Sequence, residues 1–144
     1  MLNKILRGIG LLLIVVFIII NLTLAAIWGL VDYRLEKTYD ITPEQVTIPT
    51  DADSIANGQR LAIIRGCTGC HGEDLSGKAF IDQPGVGYVE SANLTAGENG
   101  IGRYYSDADW VRAIRHGVDP EGLALALMPA TEYYYLNDDD LGNI

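Results

Sequence analysis

The chain has 144 residues with ten basic and nineteen acidic side chains, a formal net charge of −9. From Ile41 onward there are sixteen acidic and six basic groups, which excludes nucleic acid as a partner, because binding a phosphate backbone rests on Lys and Arg, and leaves a basic protein surface as an electrostatic match. Outside an apolar N-terminal stretch only about one hundred residues remain, enough for one small domain.

Residues Gly8 to Val31 contain no charged side chain. Those 24 residues exceed the ~20 that cross a bilayer as a helix. Lys4 and Arg7 precede the run and Asp32 follows it. The positive-inside rule therefore predicts a single-pass segment in the cell membrane, with a cytoplasmic N-terminus and the rest outside. Trp28 and Tyr33 suit the outer interface. A cleaved signal peptide would have a shorter apolar core, ~7–15 residues, and a better small-x-small site than "TLAA". Residues 32–53 are polar, with Pro43 and Pro49. They read as a tether with no fold of its own, and residues 54–144 as the exported domain.

In residues 54–66, Ile55, Gly58, Leu61 and Ala62 recur at helical spacing, with Asp53 or Ser54 as N-cap. This helix runs into Cys67-Thr68-Gly69-Cys70-His71. Residues 72–105 are glycine-rich and aperiodic and read as loops. Residues 106–117 predict a second helix. Ser106 caps it, Asp107 and Asp109 suit its positive end, and Gly117 ends it. Trp110, Ala113 and Ile114 form its apolar face. "NDDDLGNI" opens a third helix capped by Asn137. No strong strand signal stands out, and the fold class expected is all-α.

Three chemistries use a CTGCH run. A redox dithiol asks for a βαβ setting, which is missing, and has no use for the histidine. Zinc needs four ligands; Cys67, Cys70, His71 and His116 make such a set on paper, but His116 lies 45 residues away. Covalent haem uses both cysteines and the histidine. Two thiols spaced Cys-x-x-Cys reach both vinyl groups of one porphyrin, and the next residue ligates the iron. The motif therefore points to one covalently attached haem c, with His71 as a metal ligand.

Met128 is the only methionine besides Met1. A lone methionine is commonly core filling, but this one lies 57 residues after His71 and is followed by Pro129. Here the chain resembles the class I c-type cytochromes. Cys67, Cys70 and His71 match their attachment motif, and Met128-Pro129 matches their distal-ligand motif. The resemblance covers about Ile55 to Ile144. It implies a membrane-anchored monohaem electron-transfer subunit with redox-protein partners, as in a quinol-oxidising complex or a dehydrogenase. It implies His71 and Met128 as the metal ligands. It also implies that a proline carbonyl, here Pro84, accepts the proton on the far nitrogen of His71.

Other residues leave two readings open. Arg112 and Arg115 are i,i+3 neighbours that either pair with haem propionates or form a solvated helix face. Asn93 and Thr95 either bond a propionate or shape a loop. His116 is a second candidate sixth ligand, or a cation suited to a helix C-terminus. Tyr133, Tyr134 and Tyr135 fit haem-edge and core packing. Family members cross their first helix with a C-terminal helix. Here that helix is cut at Ile144, so the faces of Ile55, Leu61 and Leu141 are expected to lack a partner unless further chain or another protein fills the gap. Six-coordinate iron leaves no substrate site, so the expected role is an electron carrier, not an enzyme by itself. The alternative is a haem-based gas sensor or haem enzyme with a displaceable distal ligand.

Overall fold

A computed structural model describes all 144 residues. The chain divides into two compact units, Met1–Thr38 and Tyr39–Ile144.

The first unit is one helix, α1 (Leu2–Glu36), with no buried residue. It extends past the uncharged run at both ends and is long and apolar enough to cross a membrane or to act as a signal sequence. Its polar side chains bond back to the helix. Asn21 Nδ2 donates to the Phe17 carbonyl and Thr23 Oγ1 to the Ile19 carbonyl, both at 2.8 Å. Each bond meets a polar group inside the helix, which lowers the cost of placing it in an apolar setting.

The second unit is mainly helical. In chain order it has α2 (Ala52–Ile64), α3 (Cys67–His71), β1 (Ala79–Gln83), β2 (Gly87–Glu90), a 3₁₀ turn at Ile101–Arg103, α4 (Asp107–Val111), α5 (Ala130–Tyr133) and α6 (Asp138–Asn143). Val111, Tyr133, Leu136 and Leu141 form its core, with Val46, Ile114, Met128 and Ile144 packed against them.

The α2 helix is capped by Asp51, ahead of the Asp53 or Ser54 that the sequence suggests. Asp51 accepts from the Ser54 N–H at 3.0 Å. It packs on α6 through Gly58, where a Cβ would collide with the Asn143 carbonyl. Leu61 and Leu141 are each 3% exposed, so they do find partners, contrary to expectation. Ile55 remains exposed. Gly58→Ala should therefore destabilise the domain. Alanine gains ~1 kcal/mol of helix propensity, but overpacking against backbone costs about 1–3 kcal/mol. A lower denaturant midpoint would show it; a raised midpoint would mean that the crossing is loose.

The expected loop 72–105 holds an antiparallel hairpin. β1 pairs with β2 in the register Ile81↔Val89, Asp82↔Tyr88 and Gln83↔Gly87. Pro84 and Gly85 make the turn. Gly85 has φ +84°, and the Val86 N–H donates to the Gln83 carbonyl at 3.0 Å, as in a type II turn.

The second helix has the predicted start. Ser106 and Asp109 form a reciprocal capping box. Hydrogen bonds from Ser106, chiefly its side chain, and the neighbouring Arg112 hold the Asp109 carboxyl below the ordinary range. After Val111 the helix widens into a π turn, Arg112–His116, and stops at Gly117 with φ +64°.

Residues 39–50 are not a free tether. The Tyr39 N–H donates to the Gly122 carbonyl at 2.7 Å. Arg112 Nε donates to the Ile41 carbonyl at 3.0 Å. Val46 joins the core, and the Thr47 carbonyl packs where a Cβ on Gly142 would sit. An extended strand can bind this way because groups in the folded domain take up its polar backbone.

Candidate functional site

The CTGCH run is a single helical turn between two glycines in left-handed conformations, Gly66 at φ +83° and Gly72 at φ +88°. These turns let α3 leave the line of α2. Cys67 and Cys70 are free and half-buried. Their i,i+3 spacing puts them on one face of the turn. Burial, with a smaller contribution from Cys70, pushes the Cys67 thiol up. A redox dithiol depends on a depressed thiol pKa, and the raised Cys67 thiol runs the other way.

His71 is held by its ring. Nδ1 lies 2.8 Å from the Ala92 carbonyl. A carbonyl only accepts, so Nδ1 carries the proton and the Nε2 lone pair is left for a metal. Ala92 takes the role expected of Pro84. The reason is the hairpin: Pro84 sits in its turn, and the chain returns to the histidine only after β2.

Tyr133 joins the cysteine pair to the core. It is buried, and its hydroxyl donates to the Arg65 carbonyl at 3.2 Å. Burial raises its phenol pKa, and Cys67 and Cys70 add to the rise. Met128 is half-buried and packs against the cluster that contains Tyr133. Its own carbonyl accepts from the Ala130 N–H at 2.8 Å, and its N–H donates to the Leu125 carbonyl at 3.0 Å. Tight local bonds on both sides of Met128-Pro129 fix the backbone that carries the thioether.

Comparison with known proteins adds an independent observation. The chain is similar to cytochrome c subunits of dehydrogenases. It is 35% identical over 111 residues to the fructose dehydrogenase cytochrome subunit of Gluconobacter japonicus, covering 69% of this chain and 22% of that protein. It is 33% identical over 93 residues to the gluconate 2-dehydrogenase cytochrome c subunit of Pantoea cypripedii, with 60% and 21% covered. It is 32% identical over 99 residues to the cytochrome c subunit of the alcohol dehydrogenase (quinone) of Gluconacetobacter polyoxogenes, with 63% and 21% covered. The chain thus spans about a fifth of the length of these relatives. No protein-family profile and no solved structure matches it.

The donor set fits the haem c that such subunits imply. Two free thiols share one turn, the His71 Nε2 lone pair beside them is unspent, and the Met128 thioether packs against the core that contains Tyr133. The four-residue zinc set is not brought together. No group of three or more His, Cys, Asp or Glu side chains is placed for a metal, and His116 Nε2 lies 3.0 Å from Glu44 Oε2.

The remaining candidates are engaged within the protein. Asn93 Oδ1 accepts from the Thr95 N–H and hydroxyl at 2.9 and 2.8 Å, and Nδ2 donates to the Glu98 carbonyl at 3.1 Å. Both residues shape a loop. Arg112 pairs with Asp109 at 2.7 Å and holds the Ile41 carbonyl. Arg115 is buried. It bonds the Leu136 carbonyl and Asp138, each at 2.8 Å, and lies 3.6 Å from Glu44. Neither arginine lies on a solvated face. The hydrogen bond to His116 is the main cause that holds the Glu44 carboxyl below its usual range. Tyr134 and Tyr135 stay exposed, stacked edge to face 5.1 Å apart.

Sequence reasoning missed Ala92 and Glu44. A backbone acceptor leaves no mark on residue type. A glutamate that meets its histidine across 72 residues has no local signature.

Proposed function

We propose that this chain is a membrane-anchored, monohaem, class I c-type cytochrome that passes single electrons between protein partners on the extracytoplasmic side. The observation that carries the reading is the proximal arrangement at CTGCH: paired thiols on one turn, and His71 oriented by the Ala92 carbonyl with Nε2 left for iron. Cys67 and Cys70 would hold the haem covalently, and His71 Nε2 and Met128 Sδ would be the axial ligands. The haem would supply an iron that changes charge by one unit without exchanging ligands. Buried Tyr133, bonded to the Arg65 carbonyl two residues before Cys67, would help keep water from that region.

The relatives' names favour a dehydrogenase as donor. The acidic composition after Ile41 favours a partner that presents basic side chains. Lys4 and Arg7 before the apolar run favour a cytoplasmic N-terminus. On this reading the chain carries electrons and does no substrate chemistry.

The test uses sealed, right-side-out vesicles of the native membrane. Supplying the substrate of the dehydrogenase that co-purifies with the chain should reduce its haem within the turnover time. Protease added outside should abolish that signal. Haem reducible by dithionite but never by turnover would make the domain a docking module and refute the electron-carrier reading. A signal that survives protease would reverse the topology.

A further inference from the structure

The Cys70 carbonyl sits at the end of a one-turn helix, where carbonyls lack an intrahelical partner. Ser91 supplies one: its Oγ donates to that carbonyl at 2.6 Å. The same oxygen accepts from the Lys78 N–H at 3.0 Å and lies 2.9 Å from the Lys78 carbonyl. The Ser91 N–H also donates to the Lys78 carbonyl at 2.9 Å. Ser91 is thus bonded on one side to the base of the hairpin and on the other to α3.

Its position in the chain makes this consequential. Ser91 precedes Ala92, and Cys70 precedes His71. The bonds Ser91–Cys70 and Ala92–His71 are adjacent rungs between the same two segments. Gly77 closes the space behind them. Its N–H donates to the His71 carbonyl at 2.7 Å, and a Cβ there would meet the Ser91 carbonyl at 2.6 Å and the Ala92 backbone at 3.2 Å. With backbone against its back and a hydroxyl anchoring its neighbour, the Ala92 carbonyl has little freedom to leave the ring.

We propose that Ser91 is a positioning residue: it holds the Ala92 carbonyl on His71 Nδ1 and so sets the electron density that the imidazole gives to iron. The proposal rests on the cytochrome reading above. A strong bond to Nδ1–H makes the imidazole a better donor and favours ferric iron. Loosening the carbonyl weakens that bond and favours ferrous iron.

The test compares haem-loaded wild type with Ser91→Ala and Ser91→Thr. The readouts are the midpoint potential and the solvent-exchange rate of the His71 Nδ1 proton, followed by NMR in the ferrous state. Ser91→Ala should raise the potential and speed the exchange about five- to tenfold, as expected for one lost hydrogen bond. Ser91→Thr keeps a hydroxyl and should restore both. An unmoved potential and exchange rate in Ser91→Ala, even with a lower melting temperature, would leave Ser91 a merely structural residue and overturn the proposal. If Ser91→Ala does not fold, wild type decides. Exchange of the Lys78 N–H and the His71 Nδ1–H in a single joint opening supports the clamp, and a Nδ1 proton that exchanges far faster than Lys78 overturns it. Wild type without covalent haem would refute the electron-carrier reading and this proposal with it, whereas haem retained with an unmoved potential refutes the proposal alone.

Discussion

A Cys67→Ala, Cys70→Ala double variant should lose all its haem to acid–organic extraction, while wild type keeps essentially all of it on the denatured chain. Each single variant should retain haem through one remaining thioether. The argument is geometric. The two thiols stand three residues apart on one turn, half-buried and unpaired with each other. Burial pushes the Cys67 thiol up, so Cys67 should also resist alkylation when haem is withheld. Extraction that strips haem from the wild type would remove the class assignment. Rapid alkylation of the haem-free protein near neutral pH would point to an activated dithiol instead.

The second large effect concerns Met128. On the proposed ligation, in which Met128 Sδ would be the second ligand to the iron, ferrous wild type should resist carbon monoxide on the mixing timescale. Met128→Ala should bind it readily, and Met128→His should lower the midpoint potential. A neutral, soft thioether favours ferrous iron over ferric, relative to a second imidazole. The Met128 backbone is fixed by bonds to Leu125 and Ala130, and its side chain lies against the core that contains Tyr133. Alanine there removes the ligand and leaves those backbone bonds. Rapid carbon monoxide binding by wild type would refute the assignment and favour a sensor. A Met128→Ala protein with unchanged spectrum and potential would transfer the ligand role to His116, although His116 already bonds Glu44.

The parts of this structure legible in the sequence are those encoded over a few residues. The apolar run of α1, the cap at Ser106 and the cap at Asn137 all follow from spacing within four or five positions; the break at Gly66 that sets CTGCH apart from α2 did not. The hairpin was also locally encoded. Pro84-Gly85 is a turn signal, and Phe80-Ile81 and Tyr88-Val89 flank it with strand formers, but the surrounding glycines read as loop. The face of the second helix was legible in part: Ala113 is buried and Ile114 packs against the core, as its spacing predicts. A period of 3.6 predicts Trp110, Ala113 and Ile114 as its apolar side. The π turn widens the helix, and the buried positions become Val111, Ala113 and Arg115. No propensity announces that widening, and the burial of Arg115 depends on Asp138 and the Leu136 carbonyl more than twenty residues on. Pro84 failed because the resemblance fixed only the kind of acceptor His71 needs, and the hairpin moved the acceptor to Ala92.

The strap formed by residues 39–50 imposes an order in time. Ile41 meets Arg112 across 71 residues, and Glu44 meets His116 across 72. A chain made from its N-terminus has produced both cysteines well before either partner of the strap exists. Closing so long a loop also costs more entropy than forming a local turn, and contacts of that separation form slowly. The early chain therefore presents Cys67 and Cys70 while the strap is still open. In the finished fold Cys67 is half-buried and its thiol is pushed up by that burial, which makes it a poorer nucleophile than in the open chain. On the proposed haem attachment, bond formation at the two cysteines would come before the strap closes.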